Sequence, residues 1–252
     1  MRRPIVAGNW KMHKTIDESI EFIQKLVRQP LPIEVDAVIC APYLALSALV
    51  AEVHHTKVEI GAQNVHWEKE GAYTGEVSVP MLKAAGVSYV IIGHSERRSL
   101  FGETDEQINQ KVRAALAGGL IPIICVGEEL EDRQKGQTKA VVQSQVTAAL
   151  AGVDAANAAK VVFAYEPVWA IGSGQAATAE DAEEVCADLR ELLKQHYDES
   201  VAEQVRIQYG GSVKPDNLST FLTQPNIDGA LVGGASLTVD SFRALLQGAV
   251  PS

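Results

Sequence analysis

The chain has 252 residues, 46% hydrophobic and 21% charged, the balance of a globular protein whose core needs no disulfide or metal staple. A net charge of -10 argues against general nucleic-acid binding, which depends on lysine and arginine neutralising phosphates; a local positive site for a small anion stays open. No apolar run approaches the roughly 18 residues of a membrane span. The first residues, Met1-Arg2-Arg3-Pro4, reach Asn9, Lys11 and His13 too soon for a signal-peptide core. Three scattered cysteines, Cys40, Cys125 and Cys186, point to a reducing compartment, and the reading is a cytoplasmic protein.

Short runs rich in Val and Ile alternate with stretches of helical spacing. The first run starts at Ile5-Val6-Ala7. Thr15-Ile16-Asp17-Glu18 then forms a capping box, with Ile20, Ile23 and Val27 expected on one helix face. Further runs are Ala37 to Cys40, Val58 to Ala62 and Tyr89 to Ile92. Thr104 to Gln107 opens another capped helix, which Gly118-Gly119 closes before the run Ile121 to Val126. After Val161 to Tyr165, Thr178 to Asp181 caps a helix with Ala182, Val185, Leu189 and Leu192 facing the sheet. Val205 to Tyr209 and Gly229 to Val232 complete eight runs. Continuous apolar runs predict strands buried on both faces, and strand–helix alternation predicts parallel pairing with right-handed crossovers. Eight units at this length match the α/β class and its (β/α)8 TIM barrel, one catalytic domain over residues 1–252. The competing open doubly wound sheet would favour G-x-G-x-x-G after the first strand, and Ala7-Gly8-Asn9-Trp10-Lys11 does not supply it.

In such a barrel, chemistry gathers at the carboxyl ends of the strands. Those ends carry Asn9 and Lys11, then Gln63 and Asn64, then His94, Ser95 and Glu96. Later come Glu166, Gly210-Gly211-Ser212 and Gly233-Gly234. A strand-end glutamate is more often merely solvated. Glu166, however, sits between an apolar run and Pro167-Val168-Trp169, where desolvation would raise its pKa into a general base's range. His94 precedes a helix start, which disfavours the imidazolium and leaves a neutral hydrogen-bond donor. Lys11, usually a surface type, has a plausible inward role beside Asn9 and Trp10. The paired glycine turns are either plain turns or a phosphate site made of backbone N–H groups, which reconciles an acidic protein with an anionic ligand. His13, His54, His55, His66 and His196 show no metal-ligand spacing; Cys125 reads as strand packing and Arg97-Arg98 as partners of nearby acids.

Asn9-Trp10-Lys11, Gly61-Ala62-Gln63-Asn64, Ile92 to Arg98, Ala164 to Gly172, Tyr209 to Val213 and Leu231 to Ala235 together resemble the triosephosphate isomerase family, in family order and across nearly the whole chain. The resemblance implies interconversion of dihydroxyacetone phosphate and D-glyceraldehyde 3-phosphate, a step of glycolysis and gluconeogenesis, with no cofactor and no metal. Carried over, Glu166 is the base and neutral His94 the electrophile; that division of labour is the family's long-established one and is not read from spacing. Lys11 and Asn9 stabilise negative charge, Gly172, Ser212, Gly233 and Gly234 hold the phosphate, and Glu96 is a supporting carboxylate. Pro167 to Ala177 corresponds to a lid that closes over substrate. Gly71 to Glu76 corresponds to the loop that reaches a second subunit, implying a homodimer with Thr74 near the partner's Asn9 and Lys11.

The chain departs from the family at Gln175, where lysine is common, at Ser173, often threonine, at His13, commonly asparagine, and at Tyr73, commonly phenylalanine. The lid departures bear on closure rather than on the acid/base pair. Two other readings compete. One is another phosphate-binding barrel, such as a sugar-phosphate epimerase or an aldolase; the aldolase needs a Schiff-base lysine within the barrel, and no strand interior supplies an obvious one. A silent barrel kept for binding is disfavoured by the presence of Glu166, His94 and Lys11 together.

Overall fold

A computed structural model describes residues 2–171 and 177–251. All eight sequence runs are strands: β1 Ile5–Asn9, β2 Asp36–Ala41, β3 Val58–Ala62, β4 Tyr89–Ile92, β5 Ile121–Val126, β6 Val162–Tyr165, β7 Arg206–Tyr209 and β8 Gly229–Val232. Each pairs in parallel with its sequence neighbour, and β8 returns to β1 with Ile5 opposite Gly229. The closed order rules out the open-sheet alternative: this is a (β/α)8 barrel.

Strand alternation sorts the side chains into two layers. Ile5, Ala7, Val38, Cys40, Ile91, Ile123, Cys125, Val162, Ala164 and Leu231 pack together as one buried set. The residues between them, such as Val6, Ile39, Ile60, Val90, Ile124, Phe163 and Ile207, join the helices in a second, larger set. Period two extends the first set upward. Asn9 continues Ile5 and Ala7, and Glu166 continues Val162 and Ala164, so both side chains reach the barrel mouth from the inward register. The same alternation that fills the interior with apolar groups thus aims its last polar residues at one rim.

The three capping boxes are present at Thr15, Thr104 and Thr178, each threonine accepting the N–H three residues on while that residue's side chain returns to the threonine N–H. In helix Ala179–His196, Ala182, Val185 and Leu189 are buried as expected, with Leu192 half-buried beside them. The first helix differs. Helix Ile16–Leu26 buries Ser19, Phe22, Ile23 and Leu26, whereas Ile20 and Val27 lie at the edge of the buried stripe. The stripe is rotated toward Phe22, whose ring packs edge-on against Trp10 at 5.0 Å; a tertiary aromatic contact set the face. The helix before β5 ends through Gly119, the left-handed residue at φ +74°, after Gly118 at −87°.

Candidate functional site

A cleft of about 680 Å³ opens at the carboxyl ends of the strands. Asn9, Lys11, His94, Glu166, Ser212, Gly233 and Gly234 all line it. These seven sequence-derived candidates come from β1, β4, β6, β7 and β8, separated by up to 225 residues of chain, and only barrel closure brings them together. Glu96 stands outside the lining and grips Lys11 instead, Oε1 lying 2.5 Å from Nζ. Gly172, with Ser173 and Gln175 of the expected lid, falls outside the described residues.

Glu166 is 1% exposed. Its N–H donates to Val126 O at 2.7 Å, extending the β5–β6 ladder one residue past the strand. Its Oε2 accepts the Ser95 N–H at 2.9 Å. Oε1 lies 2.8 Å from His94 Nε2, and among the described residues it has no hydrogen-bond partner of good geometry. The base candidate is therefore anchored through one oxygen while the other faces the imidazole loosely. Room for this carboxylate is made by glycine. A Cβ on Gly210 would lie 2.9 Å from Glu166 Cγ, and one on Gly127 would lie 1.7 Å from the Glu166 carbonyl oxygen.

The charge state of Glu166 corrects the sequence expectation. Burial alone pushes its carboxyl up, but the His94 ring, the Ser95 N–H and the Lys11 ammonium outweigh burial and hold it below the ordinary 4.5. Sequence showed the desolvating neighbours and concealed the Ser95 amide, 71 positions away.

His94 is the N-cap of helix Ser95–Phe101, its Nδ1 accepting the Glu96 N–H at 3.2 Å. That N–H requires a lone pair on Nδ1, so in the neutral ring the proton is assigned to Nε2, facing Glu166. Burial opposes charge on this ring, and the Glu166 and Glu96 carboxylates favour it and prevail, lifting its pKa above 6.5. The capping contact and the carboxylates thus pull in opposite senses. The neutral ring expected from the sequence is opposed by both carboxylates, and the shift runs toward the imidazolium.

Lys11 adopts a left-handed backbone, φ +52°, which a lysine occupies only where its surroundings impose it, at a cost of about 1–3 kcal/mol. No sequence signal announces this. Its N–H donates to Asn9 Oδ1 at 3.0 Å, and its carbonyl accepts Gln63 Nε2 at 3.0 Å. A Cβ on Gly233 would lie 3.5 Å from Lys11 Cε, so the ammonium stem runs beside the glycine turn read as a phosphate site. That turn leads into a short 3-10 helix, Gly234–Ser236.

Supporting contacts were only partly legible. Arg98 and Arg97 pair with Asp105 and Glu103, as expected for acids nearby; Arg98 also donates to the carbonyls of Gly93 and Cys125, tying the ends of β4 and β5 together. Cys125 is buried and its thiol is pushed well up, first by burial and then by Glu166. Sequence reading missed Glu128, fully buried, whose Oε1 accepts Tyr165 OH at 3.1 Å and Trp169 Nε1 at 2.9 Å. It also missed Lys214, Asp216 and Ser241 in the cleft wall, where Ile171 of the expected lid also lies; Lys214, a cation two residues past Ser212, was the one available signal. Among the described residues no three of His, Cys, Asp and Glu form a group that could hold a metal ion. No described helix is long and apolar enough to cross a membrane.

A buried carboxylate, an imidazole N–H, an ammonium and glycine turns around one cleft suit proton transfer on a small anionic substrate. Comparison with known proteins agrees. The family model described as triosephosphate isomerase matches residues 4–249. The triosephosphate isomerase of Carboxydothermus hydrogenoformans is 54% identical over 251 residues, 99% of this chain and 100% of that protein. That of Alkaliphilus metalliredigens is 49% identical over 247 residues, 98% and 100% respectively.

Proposed function

The chain belongs to the triosephosphate isomerase family and interconverts dihydroxyacetone phosphate and D-glyceraldehyde 3-phosphate, and we propose that Glu166 and His94 carry the proton while Lys11 and Asn9 hold the developing charge. The reaction is an aldose–ketose isomerisation of glycolysis and gluconeogenesis. The observation that carries the assignment is the grouping itself: an anchored carboxylate 2.8 Å from an imidazole nitrogen, in the cleft that Lys11 and the glycine turns share.

Glu166 removes a proton from the carbon beside the substrate carbonyl, through the oxygen that lacks an aligned partner. His94 passes its Nε2 proton to the carbonyl oxygen as negative charge builds there and takes up the proton of the neighbouring hydroxyl, so that carbonyl and hydroxyl exchange places while Glu166 moves the carbon-bound proton. Lys11 and the Asn9 amide stabilise that charge from fixed positions in the cleft wall. Glu166 then returns the proton to the adjacent carbon. Ser212, Gly233 and Gly234, with Gly172, take the phosphate through backbone N–H groups, and Glu96 keeps Lys11 in place. The chemistry draws on no cofactor.

The same reading treats residues 1–252 as one catalytic domain of a cytoplasmic homodimer. Exposed Met12, Leu44, Tyr73, Leu100 and Phe101 lie on the connections that leave β1 to β4 at the cleft end. Large apolar groups left in water on neighbouring loops support a second subunit covering them, with the loop around Thr74 as the docking element. The test of the assignment is isomerisation of D-glyceraldehyde 3-phosphate in chelator-containing buffer by the parent chain, Lys11→Ala and His94→Gln. Turnover that survives the chelator and falls about 10²–10³-fold in each folded variant is expected; a folded variant with parental turnover refutes the role given to that residue.

A further inference from the structure

Gln63, just past β3, has no role in the chemistry above. Its side-chain amide nevertheless uses both hydrogens on backbone carbonyls of other segments, donating to Lys11 O on the connection after β1 at 3.0 Å and to Cys40 O in β2 at 2.9 Å. Cys40 O is also the acceptor for the Trp10 N–H at 3.0 Å, so the amide joins Lys11 to the last rung of the β1–β2 ladder. The residue it joins is strained. Among the described residues only Lys11 and Lys14 hold a positive φ without being glycine. Three side chains fix Lys11 at three points: Asn9 takes its N–H, Gln63 its carbonyl and Glu96 its ammonium. The first and third belong to the site already assigned. The second fixes the peptide that no regular strand pairing holds.

We propose that Gln63 is a positioning residue for the isomerisation: its amide holds the left-handed Lys11 peptide against the end of β2 and thereby sets where the ammonium stands in the cleft. This rests on the assignment of Lys11 as the charge-holding group. A glutamine amide suits the task because two carbonyl oxygens, one on the connection after β1 and one in β2, need two N–H donors at one nitrogen. Glutamate at the same length would present oxygens to both carbonyls, and methionine would present none.

The experiment is a double-mutant cycle between Gln63→Met and Lys11→Ala, reading kcat and KM for D-glyceraldehyde 3-phosphate, the Kd of 2-phosphoglycolate as an enediolate-like anion, and Tm. Gln63→Met is expected to lower kcat/KM about 10²-fold, the scale of a misplaced charged group. In the Lys11→Ala background the same change should alter the 2-phosphoglycolate Kd by less than about twofold, because its effect runs through the ammonium. A merely structural glutamine would weaken binding by the same factor in both backgrounds, and that result overturns the proposal. So does a folded Gln63→Met with kcat/KM within about threefold of the parent while Lys11→Ala is crippled. Parental turnover in Lys11→Ala would instead refute the assignment of Lys11. Should Gln63→Met fail to fold, Gln63→Asn, one methylene too short to reach both carbonyls, replaces it in the same cycle.

Discussion

A carboxylate with one oxygen anchored and the other loosely faced is the feature on which the site turns. Glu166 takes the Ser95 N–H on Oε2 and meets His94 at Oε1, and these partners, with Lys11, keep it ionised despite full burial. Its folded pKa lies below its unfolded one. It therefore contributes stability that is fully present above about pH 4.5 and is lost as pH falls through the folded value. Followed by 13C NMR of labelled glutamate, the Glu166 carboxyl of the free enzyme should titrate with a midpoint below 4.5; a midpoint near 6 would contradict the anchoring. Any fall in kcat/KM between about pH 7 and 5 then belongs to the substrate phosphate, whose second ionisation lies near 6, or to His94, whose pKa is lifted above 6.5. Sequence reading found both residues from their strand-end positions and missed the sign of the shift. Position along a strand is local information, whereas the Ser95 amide is set by how β4 and β6 come together at the rim.

At the level of elements, the ends of β5 and β6 form one unit. Gln145 clamps Gly127 from both sides, accepting its N–H at 2.8 Å and donating to its carbonyl at 3.1 Å. On either side of this glycine, Val126 O and Glu128 O accept the N–H groups of Glu166 and Val168. Gly127→Ala should cost at least about 3 kcal/mol in urea unfolding or shift Glu166 enough to lower kcat severely, since backbone blocks the added methyl; a variant of parental stability and rate would show that this junction tolerates movement. Thr178→Ala removes the cap of helix Ala179–His196 and should cost about 1 kcal/mol with kcat unchanged; no change in the urea midpoint would contradict the cap's contribution. The strands were legible because parallel strands buried on both faces are written as unbroken apolar runs. The face of helix Ile16–Leu26 was not, because Phe22 takes its place from Trp10, on another element. The left-handed Lys11 and its Gln63 clamp were equally hidden, being fixed by three chain segments meeting at the rim.

Across the whole molecule, barrel closure converts a dispersed set of residues into one cleft, and a net charge of -10 leaves substrate recognition to local groups: the lysines of the cleft wall and backbone N–H donors. The exposed apolar side chains on the connections leaving β1 to β4 are the basis of the proposed second subunit. The parent chain should sediment at twice 27.0 kDa, and Thr74→Arg should yield a monomer with kcat reduced about 10²-fold or more, as Asn9 and Lys11 lose their support. A fully active monomer would contradict the dimer reading. The central claim, that Glu166 moves the proton, is tested most directly by the turnover of D-glyceraldehyde 3-phosphate by Glu166→Gln, with inorganic phosphate binding and Tm measured on the same sample. Loss of about 10³-fold or more in kcat, with phosphate affinity and Tm held, is the expected result for removal of a general base. A folded, phosphate-binding Glu166→Gln that turns over at the parental rate would show that another group takes the proton.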